Sequence, residues 1–158
     1  MKKKSFNSVI STNRRASFDY FLSDFLEVGI VLKGTEIKAI RQHKVSLKDT
    51  FIYFKDGQAF IAGLHIPQYD KGNLFNHEPE RTRTLLMHKR EIRKYAAKVQ
   101  AEGYTCVPTK MYYVRGRVKI EIALAKGKKT YDKREAIKTK DIEREIRSNL
   151  KRSTRDDN

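Results

Sequence analysis

The clearest pattern in the chain is near its end. In RVKIEIALA (117–125), Val118, Ile120, Ile122 and Leu124 fall on one side of an extended backbone and Lys119 and Glu121 on the other. That is the period-two signature of a strand with one dry face and one wet face. The run before it, YTCVPTKMYYV (104–114), is a second strand pattern, hinged to the first near Arg115-Gly116. Further upstream, SLKDTFIYFKDG and QAFIAGLHI (46–66) are two strand patterns that meet at Asp56-Gly57. Asp-Gly suits the positive φ values of a type I′ turn, so these two runs are expected as antiparallel neighbours. Residues 17–33, SFDYFLSDFLEVGIVLK, have strand composition. They are read as two short strands or one bent strand with its kink at Ser23-Asp24.

Two stretches change period. Gly34-Thr35-Glu36 opens a short helix in which Ile37 and Ile40 share a face while Lys38 and Arg41 point outward. A longer helix runs through LLMHKREIRKYAAKVQAEG (85–103), where Ile92, Tyr95, Ala96 and Val99 repeat at helical spacing and Gly103 stands at the C-terminal cap. Between the patterns, residues 67–84 form a long loop with Pro, Gly and Asn but few aliphatic residues, which is either functional or disordered. Five or six strands with a helix between early and late hairpins predict a mainly β fold with flanking helices, closed as a small β-barrel without exposed edges. An open sheet with two helices on one face is the alternative.

Charge then narrows the function. The 158 residues include 35 Lys and Arg against 19 Asp and Glu, for a net charge of +16 and a pI of about 10.0. Such a field favours polyanionic partners. A membrane fits less well, because no apolar run approaches the roughly 18 residues of a spanning helix. The start, MKKKSFNSVISTNRR, has cations but no apolar core of a signal peptide. The single cysteine, Cys106, is compatible with a reducing compartment, so a cytoplasmic location is expected.

Catalytic chemistry finds no support. Cys106 lies within a strand pattern and is read as core; His43, His65, His77 and His88 lack metal-ligand spacing. AKGKK (125–129) lacks the spacing of a phosphate-cradling loop. No enzyme activity, metal or cofactor is expected. Binding has better grounds, since Phe18, Tyr20, Phe21, Tyr69 and Phe75 lie among Arg14, Arg15, Lys71, Arg81 and Arg83. Cations neutralise phosphates and exposed rings stack on unpaired bases. Most of the strand aromatics are expected in the core, leaving Tyr69 and Phe75 as surface candidates. Glu27, an acid among cations, could accept from a base amino group or orient an arginine. The final stretch, AKGKKTYDKREAIKTKDIEREIRSNLKR (125–152), carries too few apolar residues to offset its ordering entropy and reads as disordered when unbound. As a helix it would align Ile142, Ile146 and Leu150 in one narrow apolar stripe.

Four segments in order, NRRASFDYF (13–21), EVGIVLKGTEIKAIR (27–41), NHEPERTRTLLMHKREI (76–92) and LAKGKKTYDKREAIK (124–138), resemble the SsrA-binding protein family, partners of transfer-messenger RNA in bacterial ribosome rescue. The resemblance implies an oligonucleotide-binding (OB) type barrel over residues 13–126, after a flexible basic N-terminus at 1–12. It also implies a basic tail at 127–158 that is helical only on the ribosome. The face for the tRNA-like domain of that RNA would comprise Asn13, Arg14, Arg15, Glu27, Lys38, Arg41, Asn76, His77, Arg81, Arg83, Leu86 and His88, with one copy of the protein per RNA. In the tail, Lys126, Lys128, Lys129, Tyr131, Lys133, Arg134, Lys138 and Ile142 would lie in the vacant mRNA channel near the decoding centre. Tyr131 stands where relatives often carry His, and Ile142 where tryptophan is common. A constitutive ribosomal or rRNA-binding structural protein is the competing expectation.

Overall fold

The computed structural model describes residues 9–71, 76–128 and 142–147. The chain divides into two units, residues 1–126 and 127–158. The first unit is mainly β with three helices. In chain order it holds β1 (Val9–Thr12), α1 (Arg14–Asp19), β2 (Tyr20–Ile30), α2 (Gly34–Arg41), β3 (Phe51–Lys55), β4 (Gln58–Ala62), β5 (Arg83–Leu86), α3 (Lys89–Glu102), β6 (Thr105–Val114) and β7 (Arg117–Gly127). Strand order across the sheet is β1-β6-β3-β4-β5-β2-β7, and β7 also pairs with β6, so six strands form a circuit of pairings with β1 added outside β6.

Both hairpins read from the sequence are present. Asp56 and Gly57 have φ of 52° and 72°, and Arg115 and Gly116 have φ of 50° and 76°. Two successive positive φ values give the turn whose twist matches the flanking strands. The first hairpin pairs Phe51↔Ala62 through Lys55↔Gln58 without a slip. The inward residues Ile52, Ala59, Ile61, Cys106, Met111, Ile120, Ile122 and Leu124 join Ile40, Leu47, Leu64 and Ile66 in one core. Cys106 is fully buried, and that burial pushes its thiol up to about 12, as suits a core residue rather than a nucleophile. Pro108 lies in the interior of β6, where a missing N–H would break the ladder. The register shifts between Pro108 and Lys110, and this bulge accommodates it.

The structure departs from the sequence reading at several points. The described residues form a sheet of seven strands rather than five or six. One added strand, β5, takes the end of the expected loop (67–84) and the start of the expected helix (85–103); α3 begins only at Lys89, where the His88–Glu91 capping pair starts it. Residues 17–19 belong to α1, not to a strand, because Asn13 fastens the chain to β6 and the turn closes from Ala16 N–H to the Asn13 carbonyl at 3.3 Å. The kink in β2 is real: Asp24 has φ of 50°, its carbonyl accepts from the Tyr95 hydroxyl, and its carboxylate meets Lys98 Nζ at 2.7 Å. In α2 the inward face is Glu36, Ala39 and Ile40, while Ile37 is exposed. The far side of β7 is not wet along its length, since Ala125 packs with Ala16 of α1 and Val107, flanked by Tyr20 and Leu22. The stretch expected as a flexible N-terminus includes β1, paired antiparallel with β6 from Val9↔Tyr112 to Thr12↔Lys110. In the second unit, residues 142–147 are helical with Ile142 and Ile146 exposed.

Glu36 explains the rotation of α2. Its carboxylate is fully buried and accepts from Arg83 Nε, from Arg81 Nη2 at 2.5 Å and from the Lys33 N–H at 2.8 Å. Arg83, equally buried, donates onward to the carbonyls of Leu64 at 2.8 Å and Pro79 at 3.1 Å. Burial alone would raise the Glu36 pKa; the Lys33 N–H and the two guanidiniums outweigh it and hold the carboxyl below its ordinary range. A buried ion pair is only modestly stabilising when intact, but losing one partner strands the other charge. Glu36→Gln is therefore expected to lower unfolding free energy by roughly 3–5 kcal/mol in urea titrations at neutral pH. Because the folded pKa is depressed, the wild-type contribution is complete above the ordinary carboxylate range and declines as pH falls through the lowered folded value. An acid titration of stability should show that decline in the wild type and a shallower one in Glu36→Gln.

Candidate nucleic-acid interface

The residues expected to touch RNA fall into separate groups. At one end, Asn13 donates its Nδ2–H to the Pro108 carbonyl at 2.9 Å and its backbone N–H to the Thr109 carbonyl at 2.7 Å. Its side chain is thus committed to the bulge in β6, and it presents Arg14 and Arg15 on the exposed side of α1. Arg15 is 3.4 Å from Asp19, one helical turn on, and stays largely accessible. An i,i+4 pair of that kind is weak in water and leaves the guanidinium available to a phosphate.

A second group lines one shallow depression: Glu27, Gly29, Leu86, His88, Glu91 and Lys119. Glu27 accepts a hydrogen bond of 2.6 Å from the hydroxyl of buried Tyr112. Burial and the adjacent Glu27 carboxylate both raise the Tyr112 pKa, keeping the phenol protonated as donor. Leu86 is 59% exposed and lies over Gly29, where any Cβ would sit 3.2 Å from the Leu86 side chain. His88 precedes α3 and its N–H donates to Glu91 at 3.0 Å, the reciprocal half of a capping box, which orients the exposed His88 ring at the helix start. Lys119, on the wet side of β7, supplies this depression with its cation; the alternation of the strand placed it outward, but nothing in the sequence linked it to Glu27.

The third group surrounds the loop. Lys38 Nζ stands 5.5 Å from the centre of the Tyr69 ring. Asn76 binds the Tyr69 backbone twice, donating to its carbonyl at 2.6 Å and accepting from its N–H at 3.1 Å. Arg41 is exposed on the last turn of α2. His77, by contrast, is only 1% exposed. Its Nε2 lies 2.8 Å from the Ile66 carbonyl, which can only accept, so Nε2 carries hydrogen; Nδ1 is paired with the Thr35 hydroxyl at 2.9 Å. His77 and Arg83 thus face inward and Arg81 is drawn toward Glu36; they hold the loop and helix start beneath the surface instead of forming it. Phe75 and the tail residues Lys129, Tyr131, Lys133, Arg134 and Lys138 lie outside the described residues. Lys126 is exposed and stands 5.3 Å from the Tyr104 ring centre; Lys128 is half-buried. Among the described residues there is no group of three or more His, Cys, Asp or Glu placed to hold a metal, and no helix long and apolar enough to cross a membrane.

Removing the charge from Glu27 isolates the second group. Glu27→Gln is expected to weaken the Tyr112 hydrogen bond and lower stability by roughly 1–3 kcal/mol, the range for hydrogen bonds to charged groups. Tyr112→Phe should lower it comparably, and the double variant should lose less than the sum. A thermal or urea double-mutant cycle checks the coupling; additive losses would mean the two groups act independently.

The comparisons with known proteins agree with one another. The family model described as SmpB protein matches residues 10–152. The SsrA-binding protein of Caldicellulosiruptor bescii is 52% identical over 143 residues, 90% of each chain. That of Fervidobacterium nodosum is 51% identical over 144 residues, 90% of this chain and 97% of the relative. A solved structure described as "tmRNA-SmpB: a journey to the center of the bacterial ribosome" superposes with a TM-score of 0.66 at 43% identity, covering 82% of this chain and 94% of the other. This chain belongs to the SmpB family.

Proposed function

We propose that this chain binds the tRNA-like domain of transfer-messenger RNA and delivers it to stalled ribosomes in trans-translation, its basic C-terminal segment entering the empty mRNA channel near the decoding centre. The observation that carries this reading is the match over most of the chain to proteins named for binding SsrA RNA, together with a structural neighbour described with tmRNA on the ribosome. The net charge of +16 supports it, since a cationic surface gains affinity for RNA by releasing condensed counterions. The circuit of pairings from β6 through β7 supports an OB-like closed barrel as the RNA-binding body, residues 13–126. Arg14, Arg15, Lys38, Arg41, Leu86 and His88 are the exposed contacts in this reading. Asn13, Glu27, Asn76, His77, Arg81 and Arg83 position them. The protein acts in the cytoplasm, without catalysis or cofactor, as one copy per RNA.

The tail has a different role from the body. Its cations compensate rRNA phosphates, Tyr131 stacks, and helix forms fully over 127–158 only when a channel wall covers Ile142, Ile146 and Leu150. A chain ending at Lys126 should therefore still bind the tRNA-like domain. Its affinity should fall with salt by a slope of about 0.7 to 0.9 in log K per neutralised phosphate. Alanine at Lys128, Lys129, Lys133 and Arg134 should spare that binding and impair peptide tagging on stalled ribosomes, whereas Tyr131→His should be tolerated. Sequencing the RNA that co-purifies at moderate salt checks the whole reading. One tRNA-mimicking species is expected; rRNA alone would point instead to a constitutive ribosomal protein.

A further inference from the structure

The outer side of the β3–β4 hairpin carries three aromatic rings that the groups described above do not use. Inward, Ile52, Ala59 and Ile61 are buried, so the opposite parity faces out: Phe51, Tyr53 and Lys55 on β3, Gln58, Phe60 and Ala62 on β4. Register places Tyr53 directly opposite Phe60, and their rings stack at 5.3 Å between centroids with 27° between planes. Phe51 continues the row 6.2 Å from Tyr53. Phe51 and Tyr53 are 47% and 36% exposed, which is unusual for rings on a sheet whose other face is fully packed. Phe51 also lines a depression with Asn13, Arg15, Tyr20 and Thr105 that includes two carboxylates, Asp49 and the Asp19 paired with Arg15. The aromatic row is therefore continuous with the exposed guanidinium end of the candidate RNA face.

We infer that Phe51, Tyr53 and Phe60 form a stacking platform for unpaired nucleotides of RNA, a contact additional to the groups at Arg14–Arg15, Glu27–His88 and Lys38–Asn76. The inference rests on the reading that this chain binds RNA. Every base has a π-face, so a row of rings beside a cation holds single-stranded RNA with little regard to sequence. The surroundings favour bases over a protein partner. Beyond the rings the neighbours across the register are Ala62, Gln58 and Thr84, too little aliphatic surface for the apolar centre of a protein interface. Lys48 and Lys55 stand exposed just before and at the end of β3, and Arg15 lies in the adjoining depression, so phosphates flanking a stacked base would find cations within the same strip.

The chain contains no tryptophan, so Phe51→Trp makes a sole indole on the platform. The full-length variant is titrated with a mixed-sequence single-stranded RNA octamer and with an octamer of equal phosphate count whose sugars lack bases. Quenching of the indole by the base-bearing strand is expected, with binding at least about fivefold tighter than to the abasic one. In the otherwise wild-type chain, Phe51→Ala with Tyr53→Ala should weaken octamer binding by a similar factor. Both substitutions are on exposed positions, so Tm and binding to the tRNA-like RNA domain should hold. An indole unchanged by a bound octamer, or equal affinity for both strands, overturns the proposal. So does burial of the indole through self-association seen by sedimentation, which would make the row a protein contact. Failure to bind the octamer while the tRNA-like domain still binds sinks the platform alone; failure to bind either RNA sinks the functional reading with it.

Discussion

A buried carboxylate held between two guanidiniums organises this molecule. Glu36 at the start of α2 meets Arg83 at the start of β5 and Arg81 just before it, and Arg83 passes hydrogen bonds to the carbonyls of Leu64 and Pro79. One charge cluster thus ties together a helix, a strand, the segment leaving β4 and the end of the loop. None of these could shift without leaving an ion in the apolar interior. That gives the cluster more authority over position than over net stability, because desolvation offsets much of its attraction.

The long loop depends on that anchor. Gln68 donates to the His77 carbonyl, Asn76 closes on Tyr69, and His77 bridges Thr35 and Ile66. These bonds return the chain to the body on both sides of residues 72–75. A loop tethered in this way can present Lys38 and Tyr69 beside one another at a defined separation, which a free loop could not. A buried polar side chain such as His77, with a partner at each ring nitrogen, specifies such an arrangement better than an apolar contact would, since each bond has a direction.

A second constraint is the bend in β2. At Asp24 the backbone takes a left-handed conformation, and α3 grips it from outside through Tyr95 and Lys98. Lys98 lowers the Asp24 pKa and Asp24 raises that of Lys98, a reciprocal pair that stays charged at neutral pH. The bend falls three residues before Glu27, so the strand returns to the sheet in time for Gly29 and Ile30 to pair with Leu86 and Leu85. The depression with Glu27, Leu86, His88 and Lys119 forms where those strands meet the start of α3.

The sequence by itself determined what local physics controls. Asp56-Gly57 and Arg115-Gly116 had to be turns, the alternation in 117–124 had to be a strand, and Gly103, with φ of 69°, had to cap a helix. Charge pointed to a polyanionic partner, and the four family segments pointed to the family to which the chain belongs. The candidate site was legible as a set of residues but not as a surface. Arg83 and His77 have the composition of RNA ligands, yet each has a partner distant in the chain: Glu36 lies 47 positions from Arg83, and Thr35 lies 42 from His77. Only the tertiary structure could bury Glu36 and expose Ile37, because helical periodicity counts hydrophobicity and cannot know that an arginine waits inside. The same holds for α1: its residues 17–19 read as strand until Asn13 is fastened to the bulge at Pro108. Local propensity fixes elements whose partners are near in sequence; which face of each element turns inward is decided by partners that arrive only when the chain has folded.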